Sequence, residues 1–259
     1  MPKAHTITFN LANYPYYNSN LQRIVQQYEQ YQQNKFVVVD VGANIGDTLL
    51  MLRQVTSAPV HCFEGNDYYF DLLSKNTQGI PNAFLHKAML SSTPGSTNMK
   101  SEMGYGTAEL VAGNTQVQFD SLDNFFANKF PGDRVGVLKT DTDGYDIKIL
   151  YGAANLLTTQ RPVVFLEYDR TLFEKNGDDG TTFFNFMKQH NYNGVLVYDN
   201  YGKLVCVTHL DQEQTIASLH SYIKNNTVTF PFFDLAIISK ADEAFFNQLA
   251  TAELAFFER

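Results

Sequence analysis

Unbroken apolar runs alternate along this chain with stretches whose apolar positions recur every three or four residues. Residues 36–41, FVVVDV, are continuous and β-branched, the pattern of a strand covered on both faces. Gly42 and Gly46 then bracket a turn, and Thr48, Leu49 and Leu52 start a helical stripe from about Asp47. Upstream, Leu21, Ile24, Val25 and Tyr28 share one face of an amphipathic helix over 21–32. Downstream, the spacing predicts a strand over 60–63 ending in Glu64, a helix over 67–76 capped by Asn66 or Asp67 and stopped near Gly79, and a strand over 83–88. A strand over 135–141, a helix over 146–157 and a strand over 163–167 continue the alternation, which is that of a doubly wound α/β fold.

Three segments depart from it. Residues 91–118 scatter Pro94, Gly95, Gly104, Gly106 and Gly113 among short polar runs, a hairpin excursion in which 101–107 forms a candidate lid. In the tail, 194–198 and 203–207 flank the turn Asp199, Asn200, Tyr201, Gly202, followed by a helix over 211–224, a strand over 232–239 and a last helix from Ala241. Near the start, Tyr14, Tyr16 and Tyr17 stand in an aromatic loop, read as a flap packed on the core or, more sharply, as a lid touching a sugar or polyketide. With no Pro/Ser-rich linker, the chain divides into this loop and helix over 1–35 and one large domain over 36–259.

Charge narrows the partners. Nineteen Lys and Arg against 27 Asp and Glu give a formal net charge of −8, and no basic cluster is interleaved with aromatics, so DNA or RNA is disfavoured. Cys62 and Cys206 form neither a C-x-x-C motif nor a disulfide framework, which fits a reducing compartment. The N-terminal stretch lacks an apolar signal core and no run reaches the length of a membrane span, so a cytoplasmic, soluble protein without a membrane partner is expected.

The glycine loop carries the candidate chemistry. Amide N–H groups at the start of the following helix face the loop, and the helix dipole favours negative charge there. The spacing G-x-x-x-G satisfies neither the dinucleotide fingerprint nor the phosphate loop, which argues against NAD and ATP. Asp40 at the end of the first strand suits an ammonium or ordered water, and Glu64 at the end of the second can accept both hydroxyls of a ribose. Because ligands of such sheets sit at the carboxyl ends of strands, Asp40, Glu64, residues 86–88 and Asp141 gather on one edge. The six histidines show no H-E-x-x-H or paired spacing, and no metal is expected.

Taken in order, the motifs resemble a known family. Residues 40–46 read DVGANIG, Phe63 and Glu64 close the second strand, Ser121, Leu122 and Asp123 follow, then Leu138-Lys139-Thr140-Asp141-Thr142-Asp143-Gly144, Leu150-x-Gly152-Ala153 and Phe165-Leu166-Glu167. Over about 36–170 the chain resembles the FkbM family of S-adenosylmethionine-dependent methyltransferases. The resemblance implies a Rossmann-like, seven-stranded mixed sheet of the class I methyltransferase type, with a late antiparallel strand. It implies S-adenosylmethionine as cofactor, held by Asp40, Gly42, Asn44, Gly46, Glu64, Ala88 and Asp141. It also implies methyl transfer to a hydroxyl of a small molecule or glycan, consistent with the missing N-P-P-[YF] motif of amine methyltransferases, with Asp143 or Glu167 assisting deprotonation. Asp141, Asp143 and Glu167 together have the oxygen chemistry of a Mg²⁺ site, although aligned carboxylates also arise without metal. Gly65 stands where the family has Pro, and Asp143 where it has Glu. Two alternatives remain open: an NAD-dependent sugar-modifying enzyme, for which G-x-G and Tyr-x-x-x-Lys are wanting, and a non-catalytic binding module on the same fold.

Overall fold

A computed structural model describes residues 7–32, 34–103, 108–225 and 232–258. Helix α1 (Ile7–Asn13) and helix α2 (Ser19–Tyr31) precede β1 (Val37–Val41), α3 (Asp47–Leu52), β2 (Val60–Glu64), α4 (Asp67–Asn76) and β3 (Ala83–Lys87). Next come β4 (Met89–Leu90), β5 (Gly95–Met103), β6 (Ala108–Ala112) and β7 (Thr115–Asp120). Then follow α5 (Leu122–Lys129), β8 (Val135–Thr140), α6 (Asp146–Tyr151), α7 (Ala154–Thr159) and β9 (Val163–Tyr168). The chain closes with α8 (Arg170–Lys175), α9 (Gly180–Gln189), β10 (Tyr192–Asp199), β11 (Leu204–His209), α10 (Glu213–Tyr222), β12 (Phe233–Ser239) and α11 (Glu243–Phe257).

The main sheet runs β11-β10-β12-β9-β8-β1-β2-β3. Strands β9, β8, β1, β2 and β3 are parallel, and β12 lies antiparallel between β9 and β10. The fold is therefore the expected mixed sheet with a late antiparallel insertion, but among the described residues it has eight strands rather than seven. The extra one, β11, returns along β10 because Asp199 accepts the amides of Tyr201 and Lys203, and Gly202 takes φ +82°. Every residue of β1 and β8 is buried, as the unbroken apolar runs require.

Helix α2 is part of this core. Leu21, Ile24, Val25 and Tyr28 pack with Val38 of β1, Leu49 of α3 and Phe245 of α11. Arg23 adds a two-pronged pair to the buried Glu253 of α11 at 2.7 and 2.8 Å. The aromatic loop is engaged by its own chain: Tyr14 stacks on Tyr201 at 3.7 Å and Tyr16 meets Phe256 and Phe257 edge-on. Tyr17 joins Ile7, Ile45 and Tyr69 in a small apolar cluster that seats α1 against the glycine loop.

Two expectations change. The helix expected over 146–157 is broken into α6 and α7 at Gly152 and Ala153. A Cβ at Gly152 would overlap the Ser91 carbonyl, and Asp123 caps the second half by accepting the amides of Asn155 and Leu156. The excursion over 91–118 folds into a separate four-stranded sheet, β4-β7-β5-β6. Of its candidate lid, residues 104–107 lie outside the described residues, while Ser101 is in β5 and bonds to Asn66, which caps α4. Helices α1, α8 and α9 add to the expected elements, α8 and α9 capped by Asp169 and Asp179. No helix among the described residues is long and apolar enough to cross a membrane.

Candidate active site

The carboxyl ends of β1, β2 and β8 open on a cleft of about 690 Å³, counted with its open mouth. Gly42, Asn44, Glu64, Ala88, Asp141 and Asp143 line it, and the second sheet roofs it with Ser101, Ala108 and Leu110. The glycine loop is pinned to the strand beside it, since Gly42 and Ala43 donate to the Phe63 carbonyl at 3.0 and 2.9 Å. At Gly42, φ is +80° and a Cβ would overlap the Asp141 carbonyl, so this glycine closes the loop against β8. Gly46 lies behind the cleft; its Cβ would meet Leu73 and Thr77 of α4 at 2.9 and 2.7 Å rather than any ligand.

Glu64 is held from both sides. One carboxylate oxygen accepts the Asn44 amide at 3.0 Å and the other the Asn66 amide at 2.7 Å. Burial raises its pKa, and the backbone amides of Asn66, Asn44 and Gly65 oppose the shift. Each oxygen keeps a second lone pair, which is what a pair of vicinal hydroxyls needs. The neighbouring Gly65 departs from proline for a local reason, because the Met89 thioether occupies the space a Cβ would need.

Beneath the cleft floor, Lys139 bonds Asp40 at 2.9 Å and approaches Asp141 at 3.3 Å. Burial alone would lower the Lys139 pKa, but Asp40, Asp141 and Asp47 together raise it, so the ammonium stays charged. Asp40 is fully buried and does not line the cleft; its second oxygen has no hydrogen-bond donor. The loop after β8 is shaped by Asp146, itself buried, which accepts the amides of Thr142 at 3.1 Å and Gly144 at 3.2 Å. Asp143 thereby sits at φ +52° on the cleft wall. Burial first and Asp141 second push the Asp146 pKa up to about 7.

Asp141 also borders a second, smaller space lined by Asn18, Asn20, Thr48, Lys139, Glu167 and Asp234 among others. The two expected catalytic carboxylates thus lie apart, Asp143 on the first space and Glu167 on the second, with Asp141 between. Among the described residues no three His, Cys, Asp or Glu side chains are arranged to hold a metal. Glu167 makes no hydrogen bond or ion pair to any described residue, and its pKa is raised well above the usual value by burial and then by Asp141, Asp143, Asp146 and Asp234. Of the strand-end residues 86–88 only Ala88 reaches the cleft. His86 turns to the opposite face and meets His61 at 2.9 Å among phenylalanines. His190 bonds the Phe186 carbonyl and His209 faces Glu243, both away from these spaces. Lys139 was visible only as the neighbour of the strand-end acid. Asn20 and Asp234 had no sequence signal, since 214 positions separate them.

A profile described as "Methyltransferase FkbM domain" matches residues 40–193. Among solved structures the chain is similar to methyltransferase FkbM from Methylobacillus flagellatus KT, at 13% identity and TM-score 0.43, over 79% of this chain and 45% of that one. This chain thus spans less than half the length of that protein. The precorrin-6y C5,15-methyltransferase from Geobacter metallireducens GS-15 is similar at 11% identity and TM-score 0.41, over 84% and 87% of the two chains. A TehB-like SAM-dependent methyltransferase from Corynebacterium glutamicum ATCC 13032 Kitasato is similar at 9% identity and TM-score 0.43, over 86% and 88%. Comparison with curated proteins gave no match.

Proposed function

Because this chain belongs to the FkbM methyltransferase domain family, we propose that it transfers a methyl group from S-adenosylmethionine to a hydroxyl of a small molecule or glycan. The observation that carries the cofactor reading is Glu64, fixed by two backbone amides at the rim of the glycine-loop cleft with a lone pair left on each oxygen. Gly42, Asn44, Ala88 and Asp141 supply the remaining walls of the cleft, with Asp40 and Gly46 supporting them from behind. When bound, the cofactor supplies an electrophilic methyl group on a sulfonium, whose carbon–sulfur bond breaks as the oxygen–carbon bond forms, leaving a neutral thioether.

The chain's own work is alignment and proton transfer. Glu167 is the better base of the two acids: among the described residues it has no competing donor, and burial with the surrounding acids raises its pKa, which favours proton uptake. Asp143 serves the cofactor side of the wall. Isothermal titration with S-adenosylmethionine tests the cofactor site. Binding is expected in the wild type, and Glu64→Gln should weaken it roughly tenfold or more, since an ionised acceptor contributes about 1.5–3 kcal/mol. Equal affinity in both proteins would overturn the assignment. Labelled S-adenosylmethionine offered with glycosides, polyketide alcohols, peptides and tRNA tests the acceptor class; label found only on nitrogen would overturn the hydroxyl reading.

A further inference from the structure

The second cavity has a composition that selects its occupant. Strand β12 runs antiparallel to β9 with Asp234 opposite Glu167, so the two side chains rise from one face of the sheet as direct cross-strand neighbours. Asn20, fully buried near the start of α2, donates from Nδ2 to Asp234 at 2.9 Å and fixes that carboxylate toward the space. Among the described residues the charged lining is Asp141, Glu167 and Asp234 against Lys139, and the Lys139 ammonium is already engaged by Asp40 and Asp141. Glu167 faces the cavity without any described protein donor. Glu167 and Asp234 are half-buried and Asp141 is exposed, so a cationic donor arriving with a ligand can reach all three. The space adjoins the cofactor cleft across Asp141, which lines both.

We infer that this cavity is the acceptor pocket and that its acceptor is a vicinal amino alcohol, with the ammonium held by Asp234 and the neighbouring hydroxyl presented to Glu167. This rests on the methyl-transfer reading and sharpens it. Glu167 takes the hydroxyl proton as the oxygen gains its methyl, while Asp234 stays paired with the ammonium and transfers nothing. Asp234, whose pKa burial pushes up to about 7, becomes a fuller anion when a cation settles beside it. Recognition therefore comes from α2 and β12, and the reaction from the ends of β8 and β9.

The test is a calorimetric titration of the full chain saturated with S-adenosylhomocysteine, which cannot react. The probes are trans-2-aminocyclohexanol, its N-acetyl derivative and trans-cyclohexane-1,2-diol. The amine should bind roughly tenfold or more tightly than either neutral compound, because a buried charge pair is lost in both. Asp234→Asn should erase that preference while S-adenosylhomocysteine affinity and the circular dichroism spectrum stay as in the wild type. If Asp234→Asn does not fold, Asn20→Ala, which frees Asp234 to turn, serves instead and should narrow the preference. Equal binding of the three probes, binding of none, or an amine preference that survives Asp234→Asn overturns the proposal. Failure to bind S-adenosylmethionine or S-adenosylhomocysteine at all would remove the methyl-transfer reading and this one with it, whereas cofactor binding without amine preference removes only this one.

Discussion

At the scale of single residues, the site separates acids by what surrounds them. Glu64 is clamped by amides, Asp40 by a lysine and Asp146 by its own loop, whereas Glu167 has no hydrogen-bond donor among the described residues. Glu167→Gln should therefore lower kcat by about 10²–10⁴, the usual worth of a positioned base, with cofactor affinity unchanged; a variant as fast as the wild type would reassign the base. Asp234 gives a pH signature. Its folded pKa of about 7 lies above the ordinary value of 3.8, so the folded state binds the proton more tightly and gains stability as pH falls through that window. Asp234→Asn should accordingly be more stable than the wild type at pH 8, by up to about 4 kcal/mol in urea unfolding, and the difference should close by about pH 4. The loop from Asp40 to Glu64 was legible in the sequence because local spacing fixes it. Asn20 and Asp234 were not, because only the folded sheet brings α2 beside β12.

At the scale of elements, glycines mark the places where pieces press together. Gly46 combines φ +89° with Leu73 and Thr77 of α4 close behind it. Gly46→Val should cost about 2–4 kcal/mol from backbone strain and overpacking, seen as a lower urea midpoint, before any effect on ligand. A variant of wild-type stability that fails to bind cofactor would instead return Gly46 to the ligand's wall. The parallel strands and α4 were readable from apolar runs and from Asn66, since these are local signals. The break between α6 and α7 was not, because its cause is the distant Ser91 carbonyl and the Asp123 cap. The second sheet read as a hairpin because its exposed, polar strands carry little hydrophobic periodicity.

At the scale of the whole molecule, the face of β2 and β3 away from Glu64 stores a second pH dependence. His61 donates to or accepts from His86 and meets Asp133 at 2.9 Å, walled by Phe84, Phe125 and Phe130. Burial first, then His61 and Lys129, lower the His86 pKa to about 4. The unfolded chain takes up this proton first, so the stabilisation is complete above about pH 6.5 and is lost as pH falls toward 4. His86→Phe should lose less stability than the wild type between pH 6.5 and 4.5 in urea titrations; parallel curves would assign the acid loss elsewhere. The two cavities draw on overlapping lengths of chain, since Lys139, Asp141 and Glu167 of the second lie inside the matched segment. The glycine-loop cleft is built inside residues 40–193, the part the family profile matches, but Asn20 and Asp234 of the second cavity lie on either side of it. If the second cavity takes the acceptor as proposed, exchanging Asn20 and Asp234 would change which acceptor is held without touching the matched segment.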